Sequence, residues 1–389
     1  MKQIVGDVFT KLDSSFLSIS EFPVGLEPRV QKVAEFIEKQ SSNVCMIGIW
    51  GMGGSGKTTT AKSIYNRIHR KFVHRSFVEN IREACENDNY RGVIHLQKKI
   101  LSDALKTKEK IDSIGLGANK LETRLRGKKV FIVLDDVTSF QELKALCGNR
   151  AWFGTGSVII VTTRNVHLLN LLEVDHLCKT EEMNKDDSLE LFSWHSFREA
   201  CPAKDFNQLS KKVVAYCGGL PLALEVIGSY LYGRTKPEWE SVLSKLKRIP
   251  NDQVHQKLSI SYNGLEDDLK KDIFLDICFF FIGKDRAYVT EILNGCGLYA
   301  DIGISVLIER SLLKVEKNNK LQMHDLIRDM GREIVRQSSP KDPGKRSRLL
   351  FHEDVSHVLA KNTVRTFFTY NSKLLIILCI LIKIKILCL

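Results

Sequence analysis

Short apolar runs separated by helical stretches dominate the first half of the chain. Val44–Trp50, Arg75–Glu79, Val130–Leu134 and Ser157–Thr162 are each strand-length, and helical periodicity such as Val93–Leu105 lies between them. Strands apolar on both faces and joined by helices predict a buried parallel sheet with helices on its faces, over about Val24 to Val174. The period then changes. From Asn184 to about Leu246 the apolar positions are helical: Leu189, Leu191 and Phe192, then Val213 and Val214, then Trp239, Val242, Leu243 and Leu246, with Pro237 suited to the first turn of that last helix. From Asn251 to about Leu350 further helices follow, including Asp268 to Phe279. Leu312–Val315 and Leu321–Met323 then flank the turn Lys317-Asn318-Asn319-Lys320. Helices closed by a hairpin predict a winged helix.

The chemistry sits at the ends of these strands. Gly51-Met52-Gly53-Gly54-Ser55-Gly56-Lys57-Thr58 lies between the run ending at Trp50 and the helical stretch Thr59 to Ile68. Only glycines let a backbone wrap its N–H groups around phosphates while the next helix presents its positive end to them, so this is a phosphate-binding loop. Lys57 is expected at the β- and γ-phosphates, and the Thr58 hydroxyl on Mg²⁺. Val130–Leu134 delivers Asp135 and Asp136 at its C-terminal end, where ligands of open parallel sheets collect. Asp135 is expected to hold Mg²⁺ through water, and Asp136 to orient or deprotonate the attacking water. Ser157–Val161 leads into Thr162-Thr163-Arg164, where a guanidinium could take a γ-phosphate by planar contacts or form an ordinary surface ion pair. By composition alone, Gly218-Gly219-Leu220-Pro221-Leu222 is a loop opening a helix at Pro221, and Met323-His324-Asp325 is a hairpin exit with an N-capping aspartate.

Composition narrows the class. At 389 residues the chain exceeds a single compact core, and 43% hydrophobic with 27% charged residues excludes wholesale disorder. The formal charge of +12 is scattered in pairs such as Lys98-Lys99 and Lys211-Lys212, which argues against a sequence-reading nucleic-acid patch. The ten cysteines form no C-x-x-C pair and mostly sit in apolar company, as expected of thiols in a reducing compartment. Met1–Thr10 lacks the apolar core of a signal peptide, which leads to an expectation of cytoplasmic residence. Leu374–Ile382 is wholly apolar, but Lys383 and Lys385 end it well short of the roughly twenty residues a membrane span needs.

Taken in order, these motifs resemble the NB-ARC module of plant disease-resistance proteins, in the branch with an N-terminal TIR domain and C-terminal leucine-rich repeats. The resemblance runs from about Asp7 to about Asn362. Gly51–Thr59 matches the phosphate loop, Phe77–Glu83 the segment marking the TIR branch, and Lys128–Val137 the Walker B strand. Gly154–Arg164 matches the sensor strand, Gly219–Leu222 the GLPL motif, Phe274–Phe280 the apolar winged-helix segment, and Met323–Asp325 the MHD motif.

The resemblance implies an α/β P-loop NTPase domain with a parallel sheet, then a helical-bundle domain and a winged-helix domain. Expected bounds are a linker at 1–22, the nucleotide domain at 23–178, the helical domain at 179–250, the winged helix at 251–350 and a divergent apolar tail at 351–389. It implies a slow ATPase switching between ADP and ATP in immune signalling. Val24, Gly25, Leu26, Pro221 and Leu222 would border the base. Gly51, Gly53, Gly54, Ser55, Gly56, Lys57, Thr58, Thr59 and Arg164 would surround the phosphates, and His324 would touch the β-phosphate of ADP. Partners expected from it are adenine nucleotide with Mg²⁺, and further copies or full-length immune receptors. Met1–Ser20 resembles only the linker after a TIR domain, so NAD cleavage is not expected. Two other classes compete: a winged-helix DNA-binding ATPase, and a non-signalling decoy of a full-length receptor. The hairpin tip, with two lysines, one glutamate and no arginine, disfavours base reading.

Overall fold

The computed structural model describes residues 16–40, 43–86, 88–246 and 249–360. The apolar tail Leu374–Leu389 and most of the linker at 1–22 lie outside them. The described chain forms two compact units. One comprises residues up to Pro202 together with Gly219–Glu225, and the other comprises Ala203–Gly218 and everything from Val226 onward.

The first unit is built on five parallel strands: β1 (Cys45–Trp50), β2 (His74–Val78), β3 (Val130–Val137), β4 (Val158–Thr163) and β5 (His176–Lys179), in the order β2-β3-β4-β1-β5. Four match the predicted runs to within a residue at the start. The fifth has no apolar run to announce it. It is an edge strand whose residues alternate between half-buried and exposed, so its sequence, His-Leu-Cys-Lys, reads as a loop. Alternation along the central strands splits their side chains between two cores. Ile47, Ile49, Phe131, Val133 and Ile160 pack with α1 (Glu27–Lys39) and α2 (Lys57–Ile68) on one face. Met46, Ile132, Leu134, Ile159 and Val161 pack on the other with α3 (Ile81–Glu86), α4 (Asn89–Leu105), α5 (Ile114–Leu125) and α6 (Phe140–Cys147). After β4 come α7 (Val166–Leu171) and, beyond β5, α8 (Lys185–Phe197).

Phe131 shows what holds this sheet. It is fully buried, its ring 5.3 Å from Tyr65 on α2 and 5.2 Å from Phe72. Phe131→Ala is therefore expected to lower the unfolding free energy by about 3–5 kcal/mol, the usual cost of emptying an aromatic site in a packed core. Urea denaturation followed by tryptophan fluorescence checks this. A loss below about 1 kcal/mol would show that the α2 face tolerates collapse.

The second unit is helical: α9 (Asn207–Cys217), the end of α10 (Pro221–Leu231), α11 (Lys236–Leu246), α12 (Asp252–Asn263), α13 (Asp268–Asp276), α14 (Arg286–Gly295), α15 (Ala300–Glu309), α16 (Asp325–Ser338) and α17 (His352–Ala360). Pro221 and Pro237 open α10 and α11 in their first turns, where the missing N–H costs nothing. The predicted helix Asp268 to Phe279 differs in detail. The α-turns stop at Asp276 and a π-helical turn carries Ile277–Phe281. There Cys278 packs closely on α16: a Cβ at Gly331 would lie 2.6 Å from its sulfur. The hairpin pairs β6 (Lys314–Val315) with β7 (Leu321–Gln322), while Leu312 and Leu313 are buried beside it. No helix among the described residues is long and apolar enough to cross a membrane.

Candidate nucleotide site

The three sequence signals converge at the C-terminal ends of β1, β3 and β4, which the parallel register places side by side: Ile49 pairs with Thr162, and Leu134 with Val161. The loop after β1 is shaped by glycine. Gly51, Gly54 and Gly56 have φ of +153°, +78° and +88°. A Cβ at Gly54 would sit 2.7 Å from Leu222 Cβ. Helix α2 starts from Gly56 with no side-chain cap, so its first-turn N–H groups are left for an outside acceptor. An anionic phosphate satisfies both those donors and the positive helix end, so the cradle fits the group.

Lys57 is buried at the start of α2. Its Nζ donates to Gly51 O (3.0 Å) and Met52 O (2.7 Å), bridging the loop from within. Burial pulls its ammonium down to about 7, helped by the charge of Arg164 and opposed by Asp136 and Asp135. A phosphate in the loop would offer this buried ammonium a charge-assisted partner.

Ser55 behaves otherwise than a phosphate ligand by side chain. Its Oγ turns away to Thr180 Oγ1 at 2.6 Å, leaving the backbone for the ligand. Thr180 also lies where a Cβ on Gly51 would fall, 2.3 Å away. The residues immediately after β5 thus brace the loop, a role with no sequence signal.

Thr58 and Asp135 meet. The Thr58 hydroxyl donates to Asp135 Oδ1 and Oδ2 at 2.9 and 3.1 Å, and Thr162 Oγ1 donates to Oδ1 at 2.7 Å. Asp135 is fully buried. Burial pushes its carboxyl above the ordinary range, against the hydroxyls of Thr162 and Thr58 and the backbone of Asn80. A hydroxyl and a carboxylate brought together by all-oxygen contacts suit Mg²⁺, which takes few protein ligands and completes its shell with water and phosphate.

Asp136 points elsewhere. The β3–β4 register shifts between Leu134 and Val137, and Asp136 adopts φ +57°, its N–H donating to Thr162 Oγ1 at 2.9 Å. Its Oδ2 accepts from Arg82 Nε at 2.9 Å, and Arg164 Nε lies 3.5 Å from Oδ1. Burial would raise this carboxyl, but Arg164, Arg82 and Lys57 outweigh it and hold it below its usual range. Arg82 falls in the Phe77–Glu83 segment, and sequence gave it no part in the site.

Of the residues expected near the nucleotide, Val24, Gly25, Leu26, Ser55, Gly56, Thr59 and Pro221 line one cavity of about 390 Å³, together with Phe22, Met183, Leu191 and His195. Leu222 adjoins it, its N–H donating to Gly54 O at 3.2 Å. Phe22 stacks on Trp194 at 5.1 Å and meets His195 edge-on at 5.0 Å, which brings the chain before Val24 into the wall.

His324 belongs to the second unit. It is the N-cap of α16: its Nδ1 accepts from Leu326 N–H at 3.2 Å, whereas Asp325 is the first helical residue and pairs with Arg328 at 2.9 Å. The cap is the histidine, where composition had suggested the aspartate. With Nδ1 accepting, Nε2 carries the proton and donates to Gly218 O at 3.1 Å.

Comparison with known proteins agrees with this architecture. Residues 26–201 match the NB-ARC domain family, and residues 267–339 match the winged-helix domain of Roq1-like disease-resistance proteins. Disease resistance protein RUN1 of Vitis rotundifolia is 43% identical over 351 residues, covering 90% of this chain and 26% of its own length. TMV resistance protein N of Nicotiana glutinosa is 38% identical, covering 93% of this chain and 32% of its own. The chain thus spans about a quarter to a third of the length of these relatives. Among solved structures, a Walker-type ATPase of Pyrococcus abyssi superposes with a TM-score of 0.55 at 15% identity, over 82% of this chain and 99% of that one, a likeness of fold.

Proposed function

With its NB-ARC domain followed by a Roq1-like winged helix, the chain belongs to the plant disease-resistance family, and from that premise we propose that it is an ADP/ATP switch of plant innate immunity. The observation that carries the reading is the Thr58–Asp135 contact, which joins the phosphate loop to the acidic strand end across seventy-seven positions of sequence. In this reading the loop N–H groups and Lys57 bind the phosphates. Thr58 and Asp135 hold Mg²⁺, which when bound would neutralise charge on the phosphate oxygens. Asp136 orients the water, Arg164 takes the γ-phosphate, and Val24–Leu26 with Pro221 and Leu222 enclose adenine. Hydrolysis is slow and resets the switch. Self-association and engagement of full-length receptors, and residence in the cytoplasm, belong to the same proposal.

His324 supplies the nucleotide-state test. Its ring fixes Gly218, the residue next to the Gly219–Leu222 segment, and Leu222 in turn holds the loop carbonyl of Gly54. Losing that hydrogen bond removes about 0.5–1.5 kcal/mol, and about 1.4 kcal/mol is tenfold in an equilibrium. His324→Ala is therefore expected to speed ADP release by up to about tenfold, read from displacement of a fluorescent ADP analogue. A release rate equal to wild type would reduce His324 to a helix cap and remove it from the switch.

A further inference from the structure

The carboxylate of Asp136 is gripped from two sides, and only one grip involves a residue with a nucleotide role. Arg82, on α3, donates from Nε to Oδ2 at 2.9 Å; Arg164, just past β4, places Nε 3.5 Å from Oδ1. Each oxygen faces a different guanidinium. The other charges at the carboxylate are Lys57 on α2 and Asp135 on its own strand. Arg82 is itself anchored: Nη1 reaches Glu86 one turn on, at 3.4 Å, and its side chain is only 20% exposed. The backbone at Asp136 is equally determined, at φ +57° with its N–H on Thr162.

The two guanidiniums differ in what competes for them. A γ-phosphate competes with Asp136 for Arg164, because a planar fork suits phosphate oxygens. Arg82 is held instead by two carboxylates, Asp136 and Glu86.

We propose that Arg82 is a positioning residue that latches Asp136 and thereby slows attack of water on the γ-phosphate, lengthening the ATP state. While Arg82 occupies Oδ2, half of the carboxylate's accepting capacity and its freedom to turn are withheld from the water. This rests on the assignment of the water to Asp136.

The test is a double-mutant cycle in single-turnover hydrolysis of γ-labelled ATP, with affinity for ATP measured in parallel. Arg82→Ala is expected to raise the hydrolysis rate about tenfold, the scale of one hydrogen bond to a charged group, with ATP affinity unchanged. Arg82→Lys, which keeps the charge, returns the rate toward wild type. In an Asp136→Asn background, Arg82→Ala changes nothing. Should Arg82→Ala fold poorly, Arg82→Gln keeps the stem and enters the same cycle. A rate unchanged or lowered by loss of Arg82, or altered equally with and without Asp136, overturns the latch while leaving Asp136 as the water-orienting group. If Asp136→Asn alone leaves hydrolysis at the wild-type rate, the assignment of the water fails, and the latch with it.

Discussion

Lys57→Ala is expected to abolish tight nucleotide binding. The wild-type ammonium is buried at the loop, bonded to two of its carbonyls and pulled down to about 7 by that burial. Phosphate offers it a counter-charge through charge-assisted contacts roughly twice as strong as neutral ones. A ligand at a hundred times its dissociation constant adds about 2.7 kcal/mol to stability, so wild type should melt higher with nucleotide and the variant should not. Differential scanning fluorimetry with and without ADP reads both. The apo variant itself is expected to be no less stable, since a buried cation is removed. Equal ligand-induced shifts in the two proteins would place the phosphates elsewhere.

The second large effect concerns chemistry. Asp136→Asn should bind ATP as wild type does and hydrolyse it about 10²–10⁴-fold more slowly, the usual cost of losing a general base. Asparagine is chosen because the residue sits at φ +57°, which alanine adopts only with strain. The expected contrast is Thr58→Ala, which leaves the water alone and weakens the Mg²⁺-dependent part of ATP binding. Single-turnover hydrolysis and equilibrium binding separate the two. Loss of binding in Asp136→Asn, with the rate of the bound fraction unchanged, would exchange the two aspartates' roles.

What the sequence discloses depends on how local each feature is. The three inner strands are legible because burial on both faces demands continuous apolar runs, and β2, at the opposite edge, because its second half, Ser76–Val78, is buried. β5 is not, because an edge strand with a half-exposed face carries no such demand. The phosphate loop is legible because its spacing encodes its own shape. Its brace, Thr180, is not, because the Ser55–Thr180 contact joins residues far apart in the chain. The same holds for Arg82, which meets Asp136 across fifty-four positions, and for Thr162, whose hydroxyl serves both aspartates at once. Periodicity detects the helix from Asp268 but cannot separate its α-turns from the π-turn at Ile277–Phe281, since both bury the same apolar residues. The cap of α16 is a case of chemistry outrunning preference: aspartate is the commoner cap, yet an imidazole with Nδ1 free to accept does the same work, and its other nitrogen remains to hold Gly218.

In the proposed switch, a single adenine-nucleotide site built by Lys57, Thr58 and Asp135 sets the state of the chain. Its most direct test is the nucleotide content of the purified protein, released by denaturation and separated by anion-exchange chromatography. Wild type is expected to release close to one ADP per chain, and Lys57→Ala none. Wild-type protein that carries no nucleotide and binds neither ADP nor ATP at millimolar concentration, or one that carries guanine nucleotide instead, would contradict it.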